Sequence, residues 1–491
     1  MTRVSRAAAD PLVLAVDVGS TATRGDVYDA AGRPAAGGRY KVAHQFTTAA
    51  DGTSVIDPDG VVEEVAQVIG RLAGRWRAGR IAAVALDTFA SSLVGVGPGG
   101  RAVSPCYTYA DSRCAEQVAA LRRELDEPAI QQRTGCRLHA SYLAPRLRWL
   151  QATQPRAFAA ATRWMSLGEY VYLRLLGTTA AGTSIAAWTG MLDRRTGRWD
   201  DELVAAAGLR TGQLSEIRDP AQPFDDAGAA VASRWPALAH SMWLPVVADG
   251  IASNIGTGAT GEQAAALSAA TSGAIRVLLH HIPATVPAGL WCYRVDRDRS
   301  LLGGAVNDVG RVVSWLSQTL RLPGPVDLSA APDPGTPLVL PYLSGERSTG
   351  WAATARATFA GVSAATTAAM LARGAMEGVA LSLARIAGQL ASAAGPPQQL
   401  LASGRITREL PDLLQLLADV LGVPVTPVTG KRTTLRGTAI MALDVVAPGT
   451  ARAQPATGPV RRPVAAHHAC YAQRAQAYQA LYDAVIAPAI G

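Results

Sequence analysis

The stretch VVADGIASNIGTG, residues 246–258, places a single carboxylate where an apolar run gives way to a small-residue segment. The apolar run is typical of a strand, and the segment after Asp249 is typical of the entry to a helix. An acid at a strand end can act as a base, and small residues let a substrate approach the backbone closely. Asp-Gly is also common in plain turns, so this stretch alone leaves both interpretations open.

A second informative segment lies near the N-terminus, where the apolar run 12–16 is followed by the turn DVGSTATR and a further β-like run at 25–29. Strand, polar turn and strand together predict a hairpin. The turn offers the carboxylate of Asp17, backbone N–H groups, hydroxyls and Arg24, which together suit a metal-bound polyphosphate. An ordinary hairpin rich in turn-forming residues is the alternative.

Two later segments share features with this turn. Residues 267–277, LSAATSGAIRV, repeat the plan of hydroxyls, a glycine and an arginine before an apolar run. Two such turns about 250 residues apart indicate a duplicated architecture, with one turn per half facing a shared cleft. Residues 400–405, LLASGR, predict a strand that ends in a glycine turn before a helix, a junction that can receive a nucleotide.

The ordered set Asp-x-Gly-Ser, Ala-Asp-Gly, Thr-Ser-Gly and Ser-Gly resembles the FGGY family of carbohydrate kinases, members of the actin-like ATPase superfamily. Segments 108–113, 141–150 and 341–347 resemble further motifs of that family. The resemblance implies an α/β fold of two actin-like (ribonuclease H-like) domains, each a central mixed sheet flanked by helices, with a cleft between them. We expect a sugar and phosphate/metal domain at 1–250, a nucleotide-binding domain at 251–446, and a linker with a terminal helix at 447–491.

The resemblance also implies roles for individual residues. Asp249 would be the general base of an ATP-dependent phosphoryl transfer, and Asp17 would hold Mg²⁺ through water. The residues implied to bind the nucleotide are Gly19, Ser20, Thr21, Arg24, Thr271, Ser272, Gly273, Gly404 and Arg405. The residues implied to meet the sugar are Asp111, Arg113, His139 and Asp249.

Three details resemble the gluconokinases within this family, namely segments 134–139, 249–256 and 271–276. They imply phosphorylation of D-gluconate to 6-phosphogluconate. A xylulose, other ketose or polyol kinase is the alternative, and a non-catalytic sensor or an actin-like ATPase of another kind stands below it. The chain departs from the family pattern at a few positions, which are Arg146, Ala270, Ser348, Thr349 and Arg405.

Composition narrows the class of protein. The 491 residues carry a net charge of +8, but the basic residues are scattered, with no Lys/Arg block and few aromatics beside them, which argues against a nucleic-acid partner. The five cysteines form no CxxC pair, which argues against a zinc site or a disulfide framework. The sequence shows no signal peptide and no apolar stretch of about 18 residues. We therefore expect a cytoplasmic enzyme with a small sugar or sugar acid as its partner, and leave open whether it forms a homodimer.

Periodicity predicts helices at 251–266, 366–394 and 407–422, and a terminal helix at 467–486 with an apolar stripe docked on the core. Two further acidic residues, Asp87 and Glu346, are expected to be structural. For Glu346 we expect an internal ion pair with Arg347.

Overall fold

The computed structural model describes residues 8–225, 227–322 and 324–487. In chain order its strands are β1 (Leu12–Val18), β2 (Ala22–Tyr28), β3 (Tyr40–Ala43), β4 (Thr47–Thr48), β5 (Ser54–Ile56), β6 (Ile81–Thr88), β7 (Val94–Val96), β8 (Cys106–Tyr107), β9 (Arg163–Met165), β10 (Ala181–Gly182), β11 (Leu192–Asp193), β12 (Arg198–Trp199), β13 (Ile217–Arg218), β14 (Met242–Trp243), β15 (Val247–Ala248), β16 (Ala264–Ala269), β17 (Gly273–Leu279), β18 (Trp291–Arg294), β19 (Ser300–Val306), β20 (Leu338–Leu340), β21 (Thr358–Ala360), β22 (Gln399–Ser403) and β23 (Val425–Pro427).

The α-helices of the same residues are α1 (Pro58–Ala73), α2 (Ala115–Glu124), α3 (Glu127–Thr134), α4 (Leu143–Thr153), α5 (Pro155–Ala160), α6 (Leu167–Leu176), α7 (Thr183–Trp188), α8 (Asp201–Ala206), α9 (Gly228–Arg234), α10 (Asp249–Gly256), α11 (Gly310–Thr319), α12 (Ala368–Ala394), α13 (Ile406–Glu409), α14 (Asp412–Leu421), α15 (Thr433–Val446) and α16 (Ala465–Val485). Short 3₁₀ turns occur at Thr211–Gln213 and Pro236–Leu238. Within the described residues, no helix combines the length and the apolar character that a membrane span requires.

The chain divides into two compact units. Unit 1 comprises Met1–Gly256, Tyr293–Ser300 and Lys431–Gln454, and unit 2 comprises Thr257–Cys292, Leu301–Gly430 and Pro455–Gly491. The domains expected from the sequence, 1–250, 251–446 and 447–491, differ from these units because the chain returns to unit 1 twice. Each unit is built on a mixed, six-stranded sheet with helices packed against it.

The main sheet of unit 1 has the order β14-β6-β1-β2-β3, and β15 also pairs with β6. The predicted hairpin is confirmed, since β1 and β2 are antiparallel neighbours. β6 runs parallel to β1 and to β15, so the carboxyl ends of these three strands lie along one edge of the sheet. Every residue of β1 is buried, as expected for a central strand covered on both faces.

Helix α15 is the late segment that belongs to unit 1, where it packs against α10, β1 and β6. The backbones of α10 and α15 approach so closely that a Cβ on Gly437 would lie 1.7 Å from the carbonyl oxygen of Ala252. Only glycine fits such a crossing. No local pattern in the sequence indicates which helix Gly437 meets.

The main sheet of unit 2 has the order β18-β19-β17-β16-β22-β23, with α12, α14 and α16 among the helices that pack in this unit. The predicted helix 251–266 is wrong beyond Gly256, because Gly258 adopts a φ of 87° and residues 264–269 form the buried strand β16. The predicted helix 407–422 is interrupted before Pro411, which gives α13 and α14. The terminal helix docks through its tyrosines as predicted, with Tyr471, Tyr478 and Tyr482 buried.

Candidate functional site

Three carboxylates follow the three parallel strand ends of unit 1. Asp17 on β1 pairs in register with Asp87 on β6. The two residues of β15 pair with Asp87 and Thr88, and Asp249 comes directly after them as the first residue of α10. The register therefore gathers Asp17, Asp87 and Asp249 at one edge of the sheet. Sequence analysis predicted functional roles for Asp17 and Asp249 but a purely structural one for Asp87.

The electrostatics of this cluster are unbalanced. Asp87 is fully buried, and its Oδ2 accepts a hydrogen bond from the hydroxyl of Thr438 at 2.6 Å. Burial and then the negative charge of Asp17 raise the pKa of Asp87 well above its ordinary value. Burial also raises the pKa of Asp17, although Arg24 opposes the shift through an ion pair of 3.2 Å. The full negative charge of these carboxyls is therefore not offset by their neighbours, and the cluster favours a bound proton or a cation.

This excess of negative charge suits a cation. Among the described residues, no group of three or more His, Cys, Asp or Glu side chains stands at metal-coordination spacing. Direct coordination by all three carboxylates is therefore not what the geometry provides. Magnesium usually retains several waters and takes one or two carboxylates, so the residues fit a hydrated Mg²⁺ that Asp17 could hold through water.

The hairpin turn after Asp17 exposes the groups expected to face phosphate. The N–H of Gly19 donates to the carbonyl of Ala22 at 3.1 Å, which closes the turn. Arg24 donates to the hydroxyl of Thr21 at 3.0 Å as well as to Asp17. Because Ser20 and Thr21 are exposed, their hydroxyls are accessible to a ligand. The four predicted residues Gly19, Ser20, Thr21 and Arg24 thus share one turn beside Asp17.

The second predicted turn joins β16 to β17 in unit 2. Thr271 and Ser272 are exposed at its tip, and Gly273 begins β17. The N–H of Gly310, the first residue of α11, donates to the carbonyl of Ala270 at 2.9 Å. The start of α11 therefore lies beside the turn, a contact that the sequence did not indicate.

The third predicted segment also reaches this place. β22 runs parallel to β16 and ends at Ser403, and a Cβ on Gly404 would lie 2.1 Å from the carbonyl oxygen of Ala269. Gly404 thus lies next to the 271–273 turn. Arg405 turns away along its own helix and forms an exposed ion pair with Glu409 at 2.5 Å.

The predicted sugar contacts Asp111 and Arg113 engage each other. The guanidinium of Arg113 donates to Asp111 at 2.6 Å and lies over the ring of Trp149 at 4.3 Å. Asp111 is buried and also accepts from the N–H of Ser54 at 3.1 Å. The opposite charges of Asp111 and Arg113 neutralise one another. Arg113 was expected to face a sugar carboxylate, but its guanidinium is already paired with Asp111.

His139 belongs to a row of rings that leads towards Asp249. Its Nδ1 accepts a hydrogen bond from the N–H of Ser141 at 3.1 Å, and its ring meets Tyr142 edge to face. The hydroxyls of Tyr142 and Tyr293 lie 2.7 Å apart, and Tyr293 stacks on Trp188 at 3.8 Å.

The row ends beside the general-base candidate, because a Cβ on Gly250 would lie 2.8 Å from the Trp188 ring. Sequence analysis missed Trp188 and Tyr293. They are distant in the chain, and nothing in the pattern joins them.

A second aromatic group, Phe46, Phe89 and Tyr109, lies on the same unit. The three rings meet edge to face with centroids 5.1–6.3 Å apart. Tyr109 is 43% exposed, and burial followed by the negative charge of Asp249 raises the pKa of its phenol. The side chain of Ser20 lies near the Tyr109 phenol and acts on its pKa in the opposite direction. Asp249, the phosphate-type turn and an accessible aromatic surface therefore adjoin.

Comparison with known proteins places these features in a family. Residues 12–256 match the N-terminal domain of the FGGY family of carbohydrate kinases, and residues 265–444 match its C-terminal domain. The gluconokinase of Bacillus subtilis (strain 168) is 23% identical over 413 residues, which cover 81% of this chain and 80% of that protein.

Two solved structures from Lactobacillus acidophilus are similar over nearly the whole chain. A gluconate kinase superposes with a TM-score of 0.88 and 27% identity, covering 97% of this chain and 98% of its own. A ligand-bound xylulose kinase superposes with a TM-score of 0.87 and 27% identity, covering 96% and 98%. The likeness is thus equal for two kinases whose named sugars differ in charge.

Proposed function

The chain belongs to the FGGY family of carbohydrate kinases, and on that premise we propose that it transfers the γ-phosphoryl group of ATP to a primary hydroxyl of D-gluconate. The product would be 6-phosphogluconate. The observation that carries the proposal is Asp249, a carboxylate at a strand end beside Asp87, Asp17 and the exposed 19–24 turn. The gluconokinase-like segments and the gluconokinase relatives support this acceptor.

In this mechanism Asp249 accepts the proton of the attacking sugar hydroxyl. The hydroxyl oxygen forms a bond to the γ-phosphorus while the bond from that phosphorus to the ADP oxygen breaks. Asp249 follows β15 at the sheet edge where β1 and β6 also end, which places it beside Asp17 and Asp87. Positioned bases contribute roughly 10²–10⁴-fold to such reactions.

The remaining residues bind and orient the nucleotide. Ser20 and Thr21 would donate backbone and hydroxyl hydrogen bonds to phosphate oxygens. By the family resemblance, Thr271–Gly273 is also assigned to phosphate. The space beside Gly404 would take the adenosine. Magnesium, held through water by Asp17, would offset phosphate charge when bound. These assignments rest on the family resemblance and on the exposure of the two turns.

A neutral ketose or polyol is the second candidate acceptor. Arg113, the cation expected to meet a sugar carboxylate, is committed to Asp111 at 2.6 Å. The accessible aromatic ring of Tyr109 suits the C–H face of an uncharged sugar. The equal likeness to a xylulose kinase structure points the same way.

The deciding experiment compares kcat/KM for D-gluconate, D-xylulose, L-ribulose and glycerol at equal MgATP. We expect gluconate to be preferred. A tenfold preference for any neutral sugar, about 1.4 kcal/mol of transition-state binding, would contradict gluconate while leaving a kinase of the family. Acceptor-independent ATP hydrolysis would contradict sugar phosphorylation itself. The same assay applied to Asp249→Asn tests the base, and turnover with the preferred sugar should collapse. Asp298→Asn, a change at an exposed carboxylate of unit 1, is the matched control.

A further inference from the structure

We propose that His44, as an imidazolium with both ring nitrogens protonated, is a positioning residue that fixes the 19–24 turn for the nucleotide phosphates. His44 follows the edge strand β3 and lies outside every motif that pointed to the function. The inference rests on the proposed function, because it assigns a role in holding the phosphate-binding turn.

Three hydrogen bonds join His44 to the turn and to the helix beneath it. Its backbone N–H donates to the carbonyl of Thr21 at 3.1 Å. Its Nε2 lies 2.8 Å from the carbonyl oxygen of Gly19, and its Nδ1 lies 2.8 Å from Oε2 of Glu64 on α1. The same Glu64 oxygen accepts from the hydroxyl of Thr23 at 2.7 Å. One carboxylate thus anchors both His44 and the second arm of the hairpin.

The geometry decides the protonation state of the ring. A carbonyl and a carboxylate can only accept, so each ring nitrogen must donate, and only the imidazolium has two N–H donors. A neutral ring would keep its proton towards Glu64, the anionic partner. It would then present a lone pair to the carbonyl of Gly19, and that hydrogen bond would be lost.

The charged groups around His44 act in opposite directions. Burial lowers the pKa of His44, since the side chain is only 7% exposed, but hydrogen bonds to Glu64 and to Gly19 outweigh burial, and the net shift is upward. Arg24 on β2 opposes the charge of His44 and is itself paired with Asp17. Lys41 on β3 lies opposite Arg24 in register and is exposed.

The consequence is a dependence of nucleotide binding on pH with a defined sign. Because the pKa of His44 is raised in the folded protein, the Gly19 contact is complete below the ordinary histidine value and is lost as pH rises through the raised one. Above that pH the turn loses the hydrogen bond between Nε2 of His44 and the carbonyl oxygen of Gly19. The affinity for nucleotide phosphates should therefore fall on the alkaline side.

The test measures binding of magnesium–AMP-PNP by calorimetry between pH 6.5 and 9, without any sugar. For the wild-type protein we expect Kd to rise about tenfold over this range, equivalent to about 1.4 kcal/mol. His44→Gln keeps one donor but cannot become charged, so its Kd should be raised about tenfold at pH 7 and should change little with pH. His281→Gln is the matched control, because His281 faces Glu262 in an exposed pair of unit 2.

A second variant, Glu64→Gln, tests the proposal even if His44→Gln fails to fold. Glu64→Gln retains a side chain of the same shape but removes the counter-charge, so the pH at which Kd begins to rise should move downward. A wild-type Kd that does not change with pH, or a His44→Gln profile that follows the wild type, would overturn the role of His44. If the wild-type protein bound no magnesium–AMP-PNP at pH 6.5, the proposed kinase function would fail together with this inference.

Discussion

Each unit buries carboxylates, but the two units treat them in opposite ways. In unit 2, Glu377 is 1% exposed and meets Arg373 at 3.0 Å, Arg474 at 2.8 Å and the hydroxyl of Tyr471 at 3.0 Å. In unit 1, Asp87 is equally buried, yet the charged groups that raise its pKa are the carboxylates Asp17 and Asp249. Basic side chains offset the carboxylate of Glu377 in unit 2, whereas acidic side chains accumulate around Asp87 in unit 1.

Glu346 of unit 2 follows the first pattern. Its carboxylate accepts from Arg385 at 3.2 Å and from the hydroxyl of Tyr482 at 2.6 Å. The structural role expected for it agrees with this arrangement, but the expected ion pair with Arg347 does not, since the partner is Arg385 from α12. Glu346 and Glu377 thus tie the terminal helix α16 to its own unit.

The two kinds of buried acid differ in what their removal should do. A compensated carboxylate stabilises its surroundings, and removing it leaves cations buried without a partner. Carboxylates crowded together without compensation destabilise the free protein and suit a bound cation or a proton in transit. Substitutions in the two groups should therefore separate stability from activity.

Asp249→Asn has the largest expected effect. It retains the size of the side chain but removes the proton acceptor, so turnover with the preferred sugar should fall roughly 10²–10⁴-fold. Binding of magnesium–AMP-PNP should be unchanged, because the nucleotide contacts are assigned to other residues. Steady-state kinetics and calorimetry on the same preparation check both points, and near-normal turnover would remove Asp249 from its assigned role.

Glu377→Gln should act on stability instead. The change leaves Arg373 and Arg474 buried with an uncharged partner, which costs about 3 kcal/mol. Thermal unfolding followed by circular dichroism should show a lower melting temperature. Well below that temperature, kcat should match the wild type. A large loss of kcat in a folded Glu377→Gln variant would contradict the expectation that this residue affects stability but not activity.

Not all of this could be foreseen from the sequence. The hairpin of β1 and β2 and the position of Asp249 after an apolar run follow from local alternation and from residue types, so these were predicted. The crowding around Asp87 depends on the register of three strands, and the packing of α15 in unit 1 depends on close contacts such as the Gly437–Ala252 approach. Such contacts join residues that are far apart in the chain, and no local pattern predicts them.

Charged side chains were the hardest to place. Arg113 was expected to face a sugar, yet it pairs with Asp111 and covers Trp149. His44 was not singled out, because its partners Gly19 and Glu64 come from a turn and a helix that only the fold brings together. A motif gives the type of residue at a position, whereas the direction of a long side chain is decided by tertiary contacts.

Thr271→Val tests the exposed turn of unit 2 and should have an effect of intermediate size. Removing one hydroxyl donor to a phosphate oxygen should raise KM for ATP about fivefold, equivalent to about 1 kcal/mol. The KM for the sugar should stay the same, and so should the melting temperature, because Thr271 is exposed. Equal changes in both KM values would show that the turn does not act on the nucleotide alone.

Arg405→Ala should have the smallest effect. Arg405 departs from the family pattern, but its guanidinium forms an exposed pair with Glu409. Exposed pairs contribute about 0–1 kcal/mol, so both KM for ATP and the melting temperature should remain close to the wild type. A severalfold rise in KM for ATP would mean that Arg405 contacts the nucleotide in the working enzyme.

The most direct test of the contrast between the two units is the melting temperature of Asp87→Asn, measured beside Glu377→Gln at pH 8 without magnesium or nucleotide. Asparagine cannot ionise, so the burial cost and the repulsion by Asp17 and Asp249 that raise the pKa of Asp87 no longer apply, and its amide still offers an oxygen to the Thr438 hydroxyl. We predict that Asp87→Asn raises the melting temperature and that Glu377→Gln lowers it. A fall in both, of similar size, would contradict the claim that unit 1 accumulates charge where unit 2 cancels it.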